Sequence, residues 1–237
     1  FFKERYLKCK KKNIIIFGGS GTLGREVLFN LANENFNIVF SSRLVKKNNY
    51  KGIKKSAVLT NLKCDVSDEK SIKNFISRAY KILKNVDCVI DCTGIFYYDK
   101  LKNITTKSLL DMFNVNIFAT VLINKYIEAN KSNSKWVKII TCGSSSAVIG
   151  ATDTISYCAS KHALIGAIKS LNQTVYKKKI INYCLNFGTL DSKMSKQIRN
   201  TRNQNLISQQ DIVKSILYLI NLGKHGLPEE LYLKRFN

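Results

Sequence analysis

The sequence predicts an α/β fold: a single domain built on a doubly wound parallel sheet. Three observations predict it. Short apolar runs rich in β-branched residues alternate with amphipathic helical stretches from about residue 13 to residue 233. The first run opens into a glycine-rich turn that is followed at once by a helix. No break in composition divides the 237 residues, a length that suits one domain with a full core. Alternation of this kind gives a parallel sheet, and right-handed crossovers wind it in both directions.

Residues 1–12 are polar and basic (Lys8, Lys10, Lys11, Lys12) and read as a lead-in or linker, with the domain proper over 13–237. Asn13 to Phe17 is a buried strand. It feeds the turn Gly18-Gly19-Ser20-Gly21-Thr22-Leu23-Gly24, and the helix beyond carries Val27, Leu28, Leu31 and Ala32 on one face. Glycines in that position let the backbone approach a pyrophosphate, and the helix N-terminus offers free N–H groups and the positive end of a dipole. The turn therefore reads as a dinucleotide site in a Rossmann fold, with Gly18, Ser20, Gly21, Thr22, Leu23 and Gly24 against the cofactor. Asn37 to Ser41 is the second strand. An acid at its end would bind the ribose hydroxyls, but Ser41-Ser42-Arg43 stands there. Arg43 is placed to meet a 2′-phosphate and Ser42 leaves room for one, which favours NADP(H) over NAD(H). Residues 44–56 are too short for a long crossover helix.

Ala57 to Cys64 is the third strand, and Asp68 caps a helix whose apolar face holds Ile72, Phe75, Ile76 and Ala79. Val86 to Asp91 is the fourth, followed by Cys92-Thr93-Gly94, where the glycine allows close approach to a cofactor. Thr105 caps a long helix through about Asn130 that carries Asn116. Trp136 to Thr141 is the fifth strand, ending in Gly143-Ser144-Ser145-Ser146. A helix from about Thr154 to Tyr176 follows. Ile180 to Leu185 is the sixth strand, before Asn186-Phe187-Gly188-Thr189. Ser208 caps a last helix with Ile212, Ile216, Leu219 and Ile220, and Leu231-Tyr232-Leu233 is a short edge strand. Ligands of such sheets bind at the carboxyl ends of the strands. The Gly18 turn, Arg43, Asp65, Gly94, Ser144 and Gly188 all fall there.

Tyr157 and Lys161 are one helical turn apart on one face. A phenol alone exchanges protons poorly at neutral pH. An ammonium about 4 Å away stabilises the phenolate by roughly 4 kcal/mol at an effective dielectric near 20, which tunes the pair for proton transfer.

The formal charge of +23 raises the question of a nucleic acid or an anionic membrane surface. Lysine greatly outnumbers arginine and is spread along the chain together with abundant asparagine, as an AT-rich coding sequence would give, and no aromatic-basic RNA motif is present. No nucleic-acid partner is expected. No apolar run reaches the roughly 18 residues of a membrane span. The seven cysteines fall mostly in strand-like segments without a Cys-x-x-Cys pair, which predicts buried, reduced thiols in a cytoplasmic protein. His162 and His225 are too scattered for a metal site. The chain opens Phe1-Phe2 without a methionine or a signal-peptide pattern, so it reads as part of a longer chain.

Over about residues 13–233 the chain resembles the short-chain dehydrogenase/reductase family. The turn through Gly18, Gly21 and Gly24 has the spacing of the extended and atypical branches. Cys64-Asp65-Val66 is similar to the segment that contacts adenine. Asp91-Cys92-Thr93-Gly94 stands where the family has Asn-Asn-Ala-Gly, of which the glycine is kept. Asn116, Ser144, Tyr157 and Lys161 match the catalytic set, and Phe187-Gly188 replaces a Pro-Gly pair. Ser192 falls where a threonine holds the carboxamide. The resemblance implies that Asp65, Val66, Cys92, Gly94, Tyr157, Lys161, Gly188 and Thr189 contact the cofactor. It also implies the roles. Tyr157 passes the proton, Lys161 assists it and holds the nicotinamide ribose, Ser144 orients the substrate carbonyl, and Asn116 anchors a water. Homodimers or homotetramers through the Asn116 and Tyr157 helices are implied as well. Lys193, Lys196 and Arg199, with Arg202, make the covering segment basic, so the expected substrate is small and anionic, a sugar phosphate or a β-ketone on an acyl carrier. Two other readings remain: a sugar-nucleotide epimerase or dehydratase of the extended branch, and a non-catalytic dinucleotide-binding interaction protein.

Overall fold

The computed structural model describes residues 11–34, 36–45, 58–192, 194, 206–223 and 228–235. Seven strands form one sheet in the order β3-β2-β1-β4-β5-β6-β7. They are β1 (Asn13–Phe17), β2 (Asn37–Ser42), β3 (Leu59–Lys63), β4 (Cys88–Asp91), β5 (Val137–Cys142), β6 (Ile180–Phe187) and β7 (Glu230–Leu233). Every pairing is parallel. The helices are α1 (Thr22–Asn33), α2 (Glu69–Leu83), α3 (Thr106–Phe113), α4 (Ala119–Asn130), α5 (Ile155–Val175) and α6 (Gln209–Asn221). The strand order reverses at β1, between β2 and β4, the position at which open α/β sheets bind ligands.

The pleat sends successive side chains to opposite faces, and β1 shows the result. Ile14 and Ile16 pack under α1 and α6 with Val27, Leu31, Ile212 and Ile216. Ile15 and Phe17 pack under α2 and α4 with Ile72, Ile76, Ile123 and Ile127. Phe17 meets Phe75 edge to face at 4.8 Å. Burial on both faces is why the strands read as unbroken apolar runs. A third cluster, Ile117, Leu164, Ile165 and Ile168 around Cys184, docks α5 on β6.

The caps at Asp68, Thr105 and Ser208 accept from the backbone N–H of Lys70, Ser108 and Asp211. The long helix expected from Thr105 to Asn130 is not continuous. A π-helical turn over Asn114–Phe118 separates α3 from α4, which rotates Asn116 into the interior, where it is 2 % exposed. Strands β3 and β4 begin later than expected, at Leu59 and Cys88, and β6 runs two residues further, to Phe187. The segments 1–10 and 46–57, with Cys9 and His225, lie outside the described residues. Among the described residues six cysteines are free thiols, and Cys64, Cys88, Cys142 and Cys184 are buried. Among them too, no helix is long and apolar enough to cross a membrane, and no three His, Cys, Asp or Glu side chains cluster as metal ligands.

The sheet ends on a buried acid. Asp91, the last residue of β4, is 2 % exposed and accepts from Thr93 N at 2.9 Å, Thr93 Oγ1 at 2.5 Å and Thr120 Oγ1 at 3.2 Å. Burial raises its carboxyl above the ordinary 3.8, against the pull of those bonds and of the Lys161 ammonium. A raised folded-state pKa gives stability that is whole below the unfolded value and is lost as pH rises through the folded one. Asp91→Asn should therefore gain on the wild type as pH rises from about 4 towards neutrality. Melting temperatures across that range check this, and a gap that does not change with pH would contradict it.

Candidate functional site

A continuous trench runs along the carboxyl ends of the strands. Its first part, a cavity of about 360 Å³, is lined by Gly18, Ser42, Arg43, Asp65, Val66 and Gly94, with Cys92. Its second part, about 680 Å³, is lined by Ser20 to Gly24 together with Arg43, Cys92, Gly94, Tyr157 and Lys161. Two close approaches shape the turn. Gly18 adopts a left-handed φ of +73°, and a Cβ at Gly24 would sit 2.1 Å from the Gly18 carbonyl oxygen. The Ser41 hydroxyl ties the turn to β2 by accepting from Gly18 N at 3.0 Å.

The residues present fit a dinucleotide. Helix α1 begins at Gly21 with no side-chain cap and no acid in its first turn, so its leading N–H groups are left for an anion. Arg43 is exposed at the rim and faces Asp65, whose carboxyl lies below its usual range, first through the bonds from Ser67 and then through Arg43. The Ser42 hydroxyl is turned inward, 2.9 Å from the Leu44 carbonyl and 2.8 Å from Asn61 Oδ1. That leaves Arg43 as the group presented at the end of β2. Two thiols line the trench. Cys142 Sγ lies 3.8 Å from Cys92 Sγ, and this contact together with burial holds the Cys92 thiol well above its ordinary pKa.

Tyr157 and Lys161 rise from α5 at the centre of the trench. Lys161 is 3 % exposed, and its Nζ lies 3.4 Å from the Cys142 carbonyl oxygen and 5.8 Å from the Tyr157 ring centroid. Phe96 packs edge to face on Tyr157, with ring centroids 5.0 Å apart. Asn116 gives both amide hydrogens away, to Ile95 O at 3.1 Å and Ser160 Oγ at 3.0 Å, and accepts from Ile95 N at 2.9 Å. It is a strut between the loop after β4 and the face of α5 that carries Tyr157. Gly94 lies beside it: a Cβ there would be 3.5 Å from Asn116 Oδ1 and 3.9 Å from Lys161 Nζ.

Tyr157 also borders a further cavity of about 470 Å³, which contains Ser144. The phenol therefore stands between the two compartments. Ser144 accepts from Ser146 N at 3.1 Å through its hydroxyl oxygen, which leaves its O–H free to donate into the cavity. Gly188 and Thr189, expected on the cofactor, line this second cavity instead, while Phe187, Leu190 and Ser192 border both. Lys193, Lys196 and Arg199 lie outside the described residues.

Sequence reasoning missed several residues here. Asn186, fully buried on β6, accepts from Ser144 N at 3.1 Å and so places the serine. Phe96 reads as an ordinary loop aromatic. Lys234 and Arg235 follow β7 and line the Ser144 cavity, because Leu233 O accepts from Gly188 N at 3.2 Å and brings the strand end over it. Only a three-dimensional pairing exposes these contacts.

Comparison with known proteins identifies the family. The family model for short chain dehydrogenase matches residues 12–203. The L-rhamnose 1-dehydrogenase (NADP(+)) of Thermoplasma acidophilum is 26 % identical over 238 residues, covering 95 % of this chain and 87 % of that protein. A 3-oxoacyl-acyl-carrier-protein reductase, FabG of Buchnera aphidicola, is 24 % identical over 194 residues, covering 81 % of this chain and 79 % of its own. Among solved structures, an alcohol dehydrogenase from Thermococcus sibiricus complexed with 5-hydroxy-NADP superposes with a TM-score of 0.82 at 17 % identity, covering 94 % of this chain and 96 % of that one. The chain belongs to the short-chain dehydrogenase/reductase family and is an oxidoreductase that uses a dinucleotide cofactor.

Proposed function

We propose that the protein interconverts a carbonyl and an alcohol with NADP(H), on a small substrate that carries an anionic group. The observation that carries the reaction is the position of Tyr157 between two compartments, one shared with the glycine turn and Lys161, the other with Ser144. When bound, the nicotinamide supplies or accepts the hydride. The chain's own residues handle the oxygen. Ser144 donates its free O–H to the substrate oxygen and orients it. Tyr157 gives that oxygen a proton, or takes one in reverse. Lys161, buried beside the ring, assists that transfer and holds the nicotinamide ribose. Asn116, its amide hydrogens committed, holds the Gly94-Ile95 backbone against α5.

Arg43 supports the preference for NADP(H), since it is the cation at the end of β2 where a 2′-phosphate lies in such folds. NADP in the name of the Thermoplasma relative agrees. Lys234 and Arg235 support an anionic substrate. Among the described residues, the wall of the Ser144 cavity includes no aspartate or glutamate. Phe118, at 44 % exposure, Val121 and Ile155 leave apolar surface on the α4 and α5 side, and we read it as the face through which copies pair.

Kinetics, site variants and light scattering test these readings. NADPH and NADH oxidation should be followed against phosphorylated ketoses, acyl-thioester β-ketones and neutral diketones. Tyr157→Phe should lower kcat about 10²- to 10⁴-fold yet leave NADPH binding intact, and Arg43→Asp should weaken NADPH about 10- to 100-fold while sparing NADH. An active Tyr157→Phe enzyme, or an unchanged cofactor ratio in Arg43→Asp, would contradict the corresponding role. Lys234→Glu should raise KM about three- to tenfold for anionic carbonyls, less so in high salt. An equal effect on a neutral diketone removes the anion. Light scattering should give a multiple of 26.9 kDa, and the mass of a lone chain would remove the pairing face.

A further inference from the structure

Helix α5 lacks a local cap. Thr154 stands at its N-cap position without a capping bond, its hydroxyl turned to the Ala151 carbonyl oxygen, to which it donates at 2.8 Å. The missing acceptor comes from elsewhere. Asp99, in the loop after β4, accepts from Ser156 N through Oδ2 at 2.8 Å. Its own backbone N–H donates to Asp153 O at 2.8 Å, and a parallel bridge pairs Asp99 with Thr154. Asp153, between the partners, adopts a left-handed φ of +57°, a conformation uncommon outside glycine. The link is buried: Asp99 is 7 % exposed, and its second oxygen has no hydrogen-bond partner among the described residues.

The residue held is the neighbour of Tyr157. The same loop grips Tyr157 from another side through Phe96, which stacks in turn on Tyr98 at 5.1 Å, and Asn116 fixes Ile95 at the loop's start. Residues 95–99 thus form a brace, and Asp99 is its anchor on α5. A buried carboxylate with an unused oxygen is costly, and Thr154 already offers a hydroxyl able to cap, yet that hydroxyl is turned to Ala151 and the cap comes from Asp99 instead. The remote cap does one thing that a local cap cannot: it ties the start of the Tyr157 helix to the loop that borders both compartments.

We propose that Asp99 is a positioning residue for the reaction. It sets where the Tyr157 hydroxyl meets the substrate oxygen by capping α5 from the loop after β4. The proposal rests on Tyr157 as proton donor, and the test separates the two. Displacing a reacting group by about 1 Å costs on the order of 100-fold in rate. With the carbonyl that the wild type reduces best, Asp99→Ala should lower kcat about 10- to 100-fold. Its KM and its NADPH dissociation constant should stay within about twofold of wild type. Asp99→Asn, which keeps an oxygen acceptor for Ser156 N, should recover most of the rate. If Asp99→Ala does not fold, Asp99→Glu replaces it in the same comparison, since one added methylene moves the acceptor while keeping it. Three results overturn the proposal: wild-type kcat in the displaced variant, Asp99→Asn falling as far as Asp99→Ala or Asp99→Glu, or NADPH affinity falling in step with kcat. Turnover that survives Tyr157→Phe, or a wild type inert on every carbonyl, instead overturns the parent reading and this one with it.

Discussion

A buried ammonium must find compensation, and the site is arranged around the one on Lys161. Taking a lysine out of water costs several kcal/mol unless polar groups replace the lost hydration. Here they come from three parts of the chain: the Cys142 carbonyl at the end of β5, the Tyr157 ring on α5 and the Asp91 carboxylate at the end of β4. Each compensating group is also a fixed point of the fold. Asp91 orders the Thr93 turn, Tyr157 stands in the first turn of α5, and Cys142 ends a central strand. The charge and the architecture therefore specify one another, and neither could shift alone without leaving a buried polar group unpaired.

What the sequence made legible follows from the range over which each signal acts. Strands were readable because parallel strands bury both faces and so lack polar interruptions, as in Asn13–Phe17. Caps at Asp68, Thr105 and Ser208 were readable because donor and acceptor are two or three residues apart. Tyr157 and Lys161 were readable because one helix face carries both. The interruption at Asn114–Phe118 was not, since nothing in Asn-Val-Asn-Ile-Phe departs from an ordinary amphipathic helix; the demand comes from Ile95 and Ser160. The support of Ser144 by Asn186 spans 42 residues, and that of Ser156 by Asp99 spans 57. Hydrophobic periodicity reports which face is buried, not what it is buried against, so such partners leave no local trace.

The net charge of +23 leaves little mark on the core. Ion pairs such as Lys107–Asp111 and Lys125–Glu69 are exposed and contribute modestly at best. The surplus matters at longer range. A strongly positive surface draws anions toward it, and an uncapped helix start and Arg43 line the trench. A general field and a few placed groups are thus divided between the surface and the strand ends.

Because the two chambers at the strand ends share a wall built from Tyr157, Phe187, Leu190 and Ser192, an occupant of one that shifts this wall also reshapes the other. Phe96 packs on Tyr157 from the side of the Ser144 chamber and limits how far the phenol ring can move that way. Thermodynamics then requires reciprocity: if an occupant of the first chamber sharpens affinity in the second, the second must sharpen affinity in the first by the same factor. A shared wall of this kind lets two ligands influence one another through the few side chains that both of them touch.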